Sequence, residues 1–278
     1  MSQSIAPLLE DKQTDTSPTL TFEEYRVYQG DPDVQYELYK GKLIPMATAS
    51  ALHTSICEYW VYKLQRYLAE HNLDLVVKTS VGVRTEGATS CIPDILVCTQ
   101  SLWEQILAKP GSGILDLGET PLLVVEVVSE DRRADYMIKR AQYELANVPE
   151  YCIVDPKYGK QKIRILAFIE GEDGYTHTDF FPGEEIVSVV FPDFVLSVDE
   201  ILNPPLVEEL VKAEQAQLQE FQQQAAMERQ RAEQQRQLAE QQRQRAEEQS
   251  QLAEQQSQLA ERLAARLREL GVDPDTVV

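Results

Sequence analysis

Residues 122–130 read LLVVEVVSE. Six aliphatic residues, Leu122 to Val125 with Val127 and Val128, surround one carboxylate, Glu126. An apolar run of this length reads as a strand buried on both faces. A helical pattern follows from Ala134 to Asn147, closed by Asn147 and Pro149, and a second apolar run, YCIVD, starts at Tyr151. Strand, helix and strand in that order imply a crossover connection and a partly parallel sheet. The expected fold class is α/β, a mixed β-sheet flanked by helices.

The flanking sequence fits that frame. Thr21 followed by Glu24 is a capping box that predicts a short helix. YELYKGKLIPM (36–46) places two short apolar runs around Lys40-Gly41, a hairpin signal. Residues 50–71 carry Ile56, Tyr59, Trp60, Tyr62, Leu64, Tyr67 and Leu68 at helical spacing, ended by His71-Asn72. Residues 75–85 and 92–98 read as strands, and 109–120 as a loop. Downstream, 162–170, 175–181 and 186–191 read as further strands, with turns at Pro156–Gly159 and Gly171–Gly174. One α/β body is expected over residues 20–204, after a loose polar tail over 1–19.

Asn203-Pro204-Pro205 marks a boundary, beyond which Gln, Ala, Glu and Arg dominate. A seven-residue unit repeats from Gln230, so 205–270 reads as one long C-terminal helix with coiled-coil periodicity, followed by a tail at 271–278. The seam is poor: Leu238, Leu252 and Leu259 alternate in their column with Arg231 and Arg245. Glu233–Arg236 and Glu240–Arg243 are the expected ion pairs on its surface. Two readings stay open for it, a solvated spacer and an oligomerisation or partner-recruiting element.

The formal charge is −20, with −15 in residues 1–204 and −5 beyond. No basic arm advertises nucleic acid or an anionic membrane. Nor is there an apolar run long enough to span a bilayer, and the N-terminus lacks the pattern of a signal peptide. The four cysteines, Cys57, Cys91, Cys98 and Cys152, form no CxxC, and the chain has three histidines, which argues against zinc. They read as reduced core thiols of a cytoplasmic protein.

An ionised carboxylate in a dry strand costs several kcal/mol unless compensated. Glu126 is therefore at an exposed rim, protonated, paired with a cation of the protein, or on a metal. Asp94 follows Pro93 at the start of an apolar strand, where a turn or cap role is the simpler reading. Glu37 lies in the hairpin, where it can face water. Asp135, Lys139 and Tyr143 share one helix face at i, i+4 and i+8, which alone makes no more than a surface salt bridge. Together these groups are the apparatus for phosphodiester hydrolysis. The carboxylates suit a hard cation such as Mg²⁺, and the lysine suits developing charge.

The ordered strings YELYKGKL, IPDILVC and LLVVEVVSE…DYMIKRAQYELANVPEYCIVDP resemble the Uma-two family, assigned to the PD-(D/E)xK restriction-endonuclease-like superfamily. The resemblance covers roughly residues 20–204. It implies a restriction-endonuclease-like core and a Mg²⁺- or Mn²⁺-dependent endonuclease acting on DNA, a class in which many members are dimers. Carried over by residue, it makes Asp94, Glu126 and Lys139 catalytic, with Glu37, Asp94 and Glu126 as metal ligands. Tyr143 and Asp135 support them, and His53 stands where family members often carry a histidine, though a helix-surface or core role is an equal reading. The lysine expected two residues after Glu126 is Val128 here, so Lys139 from the next helix takes that place. The family's Ser-Pro-Ser-Thr loop is Ser129-Glu130-Asp131-Arg132, which adds negative charge near the expected phosphate path. Candidate cations for that path are Lys40, Lys42, Lys78, Arg84, Arg132, Arg133 and Arg140. The alternative function is a non-catalytic binding or scaffold protein that keeps the nuclease fold and assembles through its long helix.

Overall fold

The computed structural model describes residues 19–31, 33–129 and 132–271. The expected tails at 1–19 and 271–278, apart from Thr19 and Gly271, and the added charges Glu130 and Asp131 lie outside the described residues. The chain divides into two compact units, residues 1–209 and 210–278.

Local chemistry sets the first elements. Helix α1 (Phe22–Arg26) starts at Thr21, whose hydroxyl accepts from Glu24 N while the Glu24 carboxylate accepts from Thr21 N. Strands β1 (Tyr36–Tyr39) and β2 (Lys42–Pro45) form the expected hairpin. Lys40 and Gly41 take φ of 50° and 82°, the two left-handed positions of a twist-matched turn. Helix α2 (Ala51–Glu70) opens on Ser50 and closes at Asn72, which has φ of 49°. There Leu73 N donates to Leu68 O and Asn72 N to Ala69 O, the two bonds of a Schellman cap.

The expected single run 75–85 divides into β3 (Leu75–Lys78) and β4 (Gly82–Glu86), which join different sheets. The break falls at Ser80, with φ of 57°. Gly82 is required where β4 meets its neighbour, since a Cβ there would stand 2.9 Å from Ile114 Cγ1. Next come β5 (Thr89–Cys91), β6 (Ile95–Thr99) and helix α3 (Gln100–Leu107), which the sequence reading did not anticipate. The expected loop 109–120 contains the two-residue strand β7 (Ile114–Leu115), parallel to β4.

LLVVEVV forms β8 (Leu123–Val127), buried at every position. The expected α-helix is instead a π-helix over Ala134–Lys139 that continues as α4 (Arg140–Leu145). Asn147 closes it with φ of 56°, and Val148 N donates to Tyr143 O. The crossover leads to β9 (Glu150–Asp155), paired parallel to β8 as expected, with Glu126 opposite Ile153. Strands β10 (Lys162–Phe168) and β11 (Tyr175–Phe180) extend the sheet antiparallel.

The run 186–191 is strand only within β12 (Glu185–Val187), paired with β13 (Val195–Ser197). Beyond Val187 the chain wraps a buried carboxylate. Glu150 Oε2 accepts from Ser188 Oγ, Val189 N and Val190 N at 2.7, 2.7 and 2.8 Å. Backbone donors that a strand would spend on a ladder satisfy Glu150 instead. Helix α5 (Val198–Leu202) follows.

The architecture is α/β with mixed sheets flanked by helices. One sheet has the order β2-β1-β5-β4-β7 and the other β11-β10-β9-β8-β6-β3, where one was expected. Val83, Cys91 and Leu115 of the first meet Leu96, Val124, Val128 and Ile153 of the second in one core with Tyr143. Glu126 lies two residues from both Val124 and Val128 and so shares their face, pointing into the same space.

Helix α6 (Val207–Glu269) is the expected long helix and buries no side chain. Leu238, Leu252 and Leu259 are all more than half exposed. Arg243 pairs with Glu247, not Glu240, and Arg266 with Glu269. No helix among the described residues is long and apolar enough to cross a membrane.

Candidate active site

Seven residues singled out in the sequence meet in one linked cluster. Glu126 comes from β8, Glu37 from β1, and Asp94 from the turn before β6. Asp135 and Lys139 come from the π-helix, Tyr143 from α4 and His53 from the first turn of α2. The wide turn of a π-helix recurs at functional sites.

Lys139 is the hub. Its Nζ donates to Glu126 Oε1 at 2.8 Å, lies 3.2 Å from Glu37 Oε1 and 4.0 Å from Asp135 Oδ1. It therefore ties the two main sheets together, since Glu37 belongs to one and Glu126 to the other. The Tyr143 hydroxyl donates to the same Glu126 oxygen at 2.8 Å. Glu37 Oε1 also accepts from Ile92 N at 2.9 Å. Asp94 sits on the other side of the cluster, with Oδ2 accepting from Val127 N at 2.7 Å and lying 3.2 Å from His53 Nε2.

Burial makes these contacts consequential. The Glu126 side chain is 4% exposed and that of Lys139 12%. Desolvation pushes the Glu126 carboxyl well up, against the pull of Lys139, and the charges of Asp94, Asp135 and Glu37 push the same way. Desolvation works against the Lys139 ammonium, but Glu126 and Glu37 outweigh it and hold the amine firmly protonated. Burial and then Glu126 keep the Tyr143 phenol protonated, so it remains a donor. The Asp94 hydrogen bond lifts His53 above its ordinary range, against burial. Glu126, Glu37 and Asp135 thus face one ammonium, with Asp94 beside them, an acidic surrounding that favours a cation.

The donor chemistry fits a hard divalent ion. Asp94 Oδ1 and Glu126 Oε2 accept from no described residue, because the bonds end on Asp94 Oδ2 and Glu126 Oε1. Carboxylate oxygens are the ligands that Mg²⁺ and Mn²⁺ prefer. The contacts of Glu37, expected as a third ligand, likewise end on one oxygen, Oε1, with Lys139 and the Ile92 amide.

Two features escaped the sequence reading. Cys57, one helical turn after His53, has its Sγ 3.7 Å from His53 Nδ1. A basic group also surrounds the Tyr136 ring, with Arg132, Lys162 and Arg164 at 4.8, 5.5 and 5.3 Å from its centre. Of these only Arg132 was anticipated; Lys162 and Arg164 alternate along β10 on one face, a spacing visible in KIRIL. Asp155 and Asp179 pair with the three cations. Of the other candidate cations, Lys40 lies over Tyr39, Lys78 over Trp103, and Arg84 bonds Asp116 beneath Phe22.

Comparison with known proteins bears on the fold and the family. A solved structure from Anabaena variabilis ATCC 29413, described as a "putative nuclease belonging to DUF820", is similar with a TM-score of 0.51 at 16% identity. The match covers 66% of this chain and 98% of that one, and at such identity it shows the fold alone. No curated protein matches. The Uma2 family model, described as "Putative restriction endonuclease", matches residues 22–199. That span holds every residue of the cluster, and the chain belongs to the Uma2 family.

Proposed function

We propose that this protein is a metal-dependent endonuclease that hydrolyses phosphodiester bonds in DNA. The observation that carries the reading is the Lys139–Glu126 contact of 2.8 Å beside Asp94. It supports the view that a lysine from the π-helix does the work expected of residue 128. Glu37, Asp94 and Glu126 are the proposed ligands of Mg²⁺ or Mn²⁺, and Glu37 also positions Lys139. When bound, the metal supplies Lewis-acid polarisation of a phosphoryl oxygen and lowers the pKa of water. Lys139 offers its ammonium to charge that develops on the phosphate. Tyr143 holds Glu126 in orientation, and the Val127 amide does the same for Asp94. Arg132, Lys162 and Arg164 around Tyr136 are the proposed contact for the DNA backbone, which answers the acidic charge of the body.

Incubation of the purified chain with supercoiled plasmid in Mg²⁺ or Mn²⁺ tests the reading. Nicking that EDTA stops and that Glu126→Gln and Lys139→Ala lack supports it. No cleavage of double- or single-stranded DNA with either metal sinks it.

The exposed leucines of α6 favour a second reading, in which the chain assembles as a homodimer or recruits a protein partner through that helix. Light scattering of the full chain against a chain ended at residue 204 tests it. Equal oligomeric states for the two remove the helix from assembly.

A further inference from the structure

We infer that His53, Cys57 and Asp94 form a second cation site, suited to a thiophilic divalent transition metal such as Zn²⁺. The three donor atoms lie within 4.8 Å of one another. His53 and Cys57 are four residues apart on α2, so their side chains stack on one face, and Asp94 reaches them from the turn before β6. The Cys57 Sγ to His53 Nδ1 distance is 3.7 Å and the His53 Nε2 to Asp94 Oδ2 distance 3.2 Å. Tetrahedral zinc, with bonds of about 2.3 Å to sulfur and about 2.0 Å to nitrogen or oxygen, separates its donors by about 3.3–3.6 Å. Only one ring nitrogen can hold the ion, so one of these two distances is an edge of the site, close to that range, and the remaining edges lie within 4.8 Å.

The donor types decide the kind of ion. One sulfur, one imidazole nitrogen and one carboxylate oxygen favour Zn²⁺ or Co²⁺ over Mg²⁺. Three protein ligands leave the fourth tetrahedral position for water. The site is reachable, since the His53 and Asp94 side chains are 17% and 15% exposed. It is also oriented from behind, because the Val127 amide holds Asp94 at 2.7 Å, as outer partners hold ligands in metal sites. As the sulfur–metal bond forms, the Cys57 proton leaves to buffer. No CxxC or histidine cluster signals this site, because two of its ligands are one helical turn apart and the third comes from another element. Asp94 is common to this site and the proposed Mg²⁺ site. If the nuclease reading holds, the two ions compete for it.

Co²⁺ reports on the site without any assay of cleavage. Titrating the reduced full-length chain should raise a near-ultraviolet thiolate-to-cobalt charge-transfer band that saturates at one equivalent and is bleached by Zn²⁺. Cys57→Ser should lose the band, while Cys98→Ser, altering a core thiol, and Glu126→Gln should keep it. His53→Gln, which retains the thiol, should weaken Co²⁺ affinity about tenfold or more. A wild-type chain without the band, a band that survives Cys57→Ser, or affinity unchanged in His53→Gln overturns the inference. Because Glu126→Gln disables the proposed nuclease and spares this site, the two readings fail separately.

Discussion

Lys139 Nζ and Glu126 Oε1 stand 2.8 Å apart although 13 residues separate them in the chain. Val128, two residues after Glu126, is 4% exposed and packs in the core with Val124 and Tyr143. A lysine at 128 would have to bury its ammonium there, at a cost of several kcal/mol without a partner. The helix supplies the charge where Glu126 and Glu37 already wait for it.

Lys139→Met should therefore do more than remove a charge. If the proposed role is right, cleavage falls about 10²–10³-fold, the usual loss for one preorganised electrostatic group. Stability at neutral pH falls by about 3–5 kcal/mol, because a buried acid loses its cation. Urea unfolding and plasmid nicking measure the two effects. Wild-type stability with lost cleavage would make Lys139 purely catalytic.

Glu126 makes apo stability depend on pH, and the sign follows from its raised pKa. The folded chain keeps a proton that the unfolded chain releases above the ordinary value of 4.5. This contribution is complete below that value and is lost as pH climbs through the raised one. Urea midpoints without metal should decline from acidic to mildly alkaline pH, and Glu126→Gln should flatten the decline. Mg²⁺ should restore the wild type at the alkaline end and leave the variant unmoved. A level wild-type profile would mean that Glu126 is effectively solvated.

The opposite sign holds at Asp116. Burial raises this carboxyl, but hydrogen bonds from Arg84, the Leu117 amide and Arg26 outweigh it and hold the pKa at about 2. Its contribution is present above the ordinary 3.8 and is lost as pH falls toward about 2. Arg84→Gln should lower stability at neutral pH and make acid unfolding less steep, read by circular dichroism between those values. An unchanged acid limb would remove Asp116 from the account.

Tyr143→Phe deletes one of the two donors to Glu126 Oε1 within a fully buried contact. The expected cost is about 1–3 kcal/mol for an acceptor left short of a partner. Cleavage should fall less than in Lys139→Met, since the ammonium remains. Equal losses in the two variants would mean that the tyrosine, not the lysine, sets the carboxylate.

The cluster around Tyr136 predicts how DNA binding responds to salt. Each phosphate contact removed lowers the slope of log affinity against log salt by about 1. Lys162→Ala should do this in anisotropy titrations with the cleavage-deficient Glu126→Gln chain. The same slope with and without Lys162 would place the DNA elsewhere.

Much of the fold was legible because its signals are local. A Lys-Gly pair that accepts left-handed φ makes the β1–β2 turn, and asparagines at 72 and 147 close two helices for the same reason. The run 122–128 read as a doubly buried strand, and the helix after it implied a parallel partner. Local signals failed where a distant group intervened. Ser80 breaks the expected strand 75–85 because its two halves serve different sheets, and the strand after Val187 gives way to a loop around Glu150. α3 went unread although Thr99 caps it.

The candidate site divides along the same line. Residue types were enough to single out Glu126, because a carboxylate amid valines calls for compensation wherever the chain goes, and the family resemblance set Glu37, Asp94 and Lys139 beside it. Which group compensates which was decided by packing. The parallel pairing of β8 and β9 and the π-helical turn bring Lys139 onto Glu126, while the approach of the two sheets brings Glu37 to the same ammonium and leaves Asp94 to His53 and Cys57. Turn and cap preferences act over a few residues, and so are written in the sequence. The energy of a buried charge depends on what stands within a few ångströms of it, and that is known only once the chain is folded.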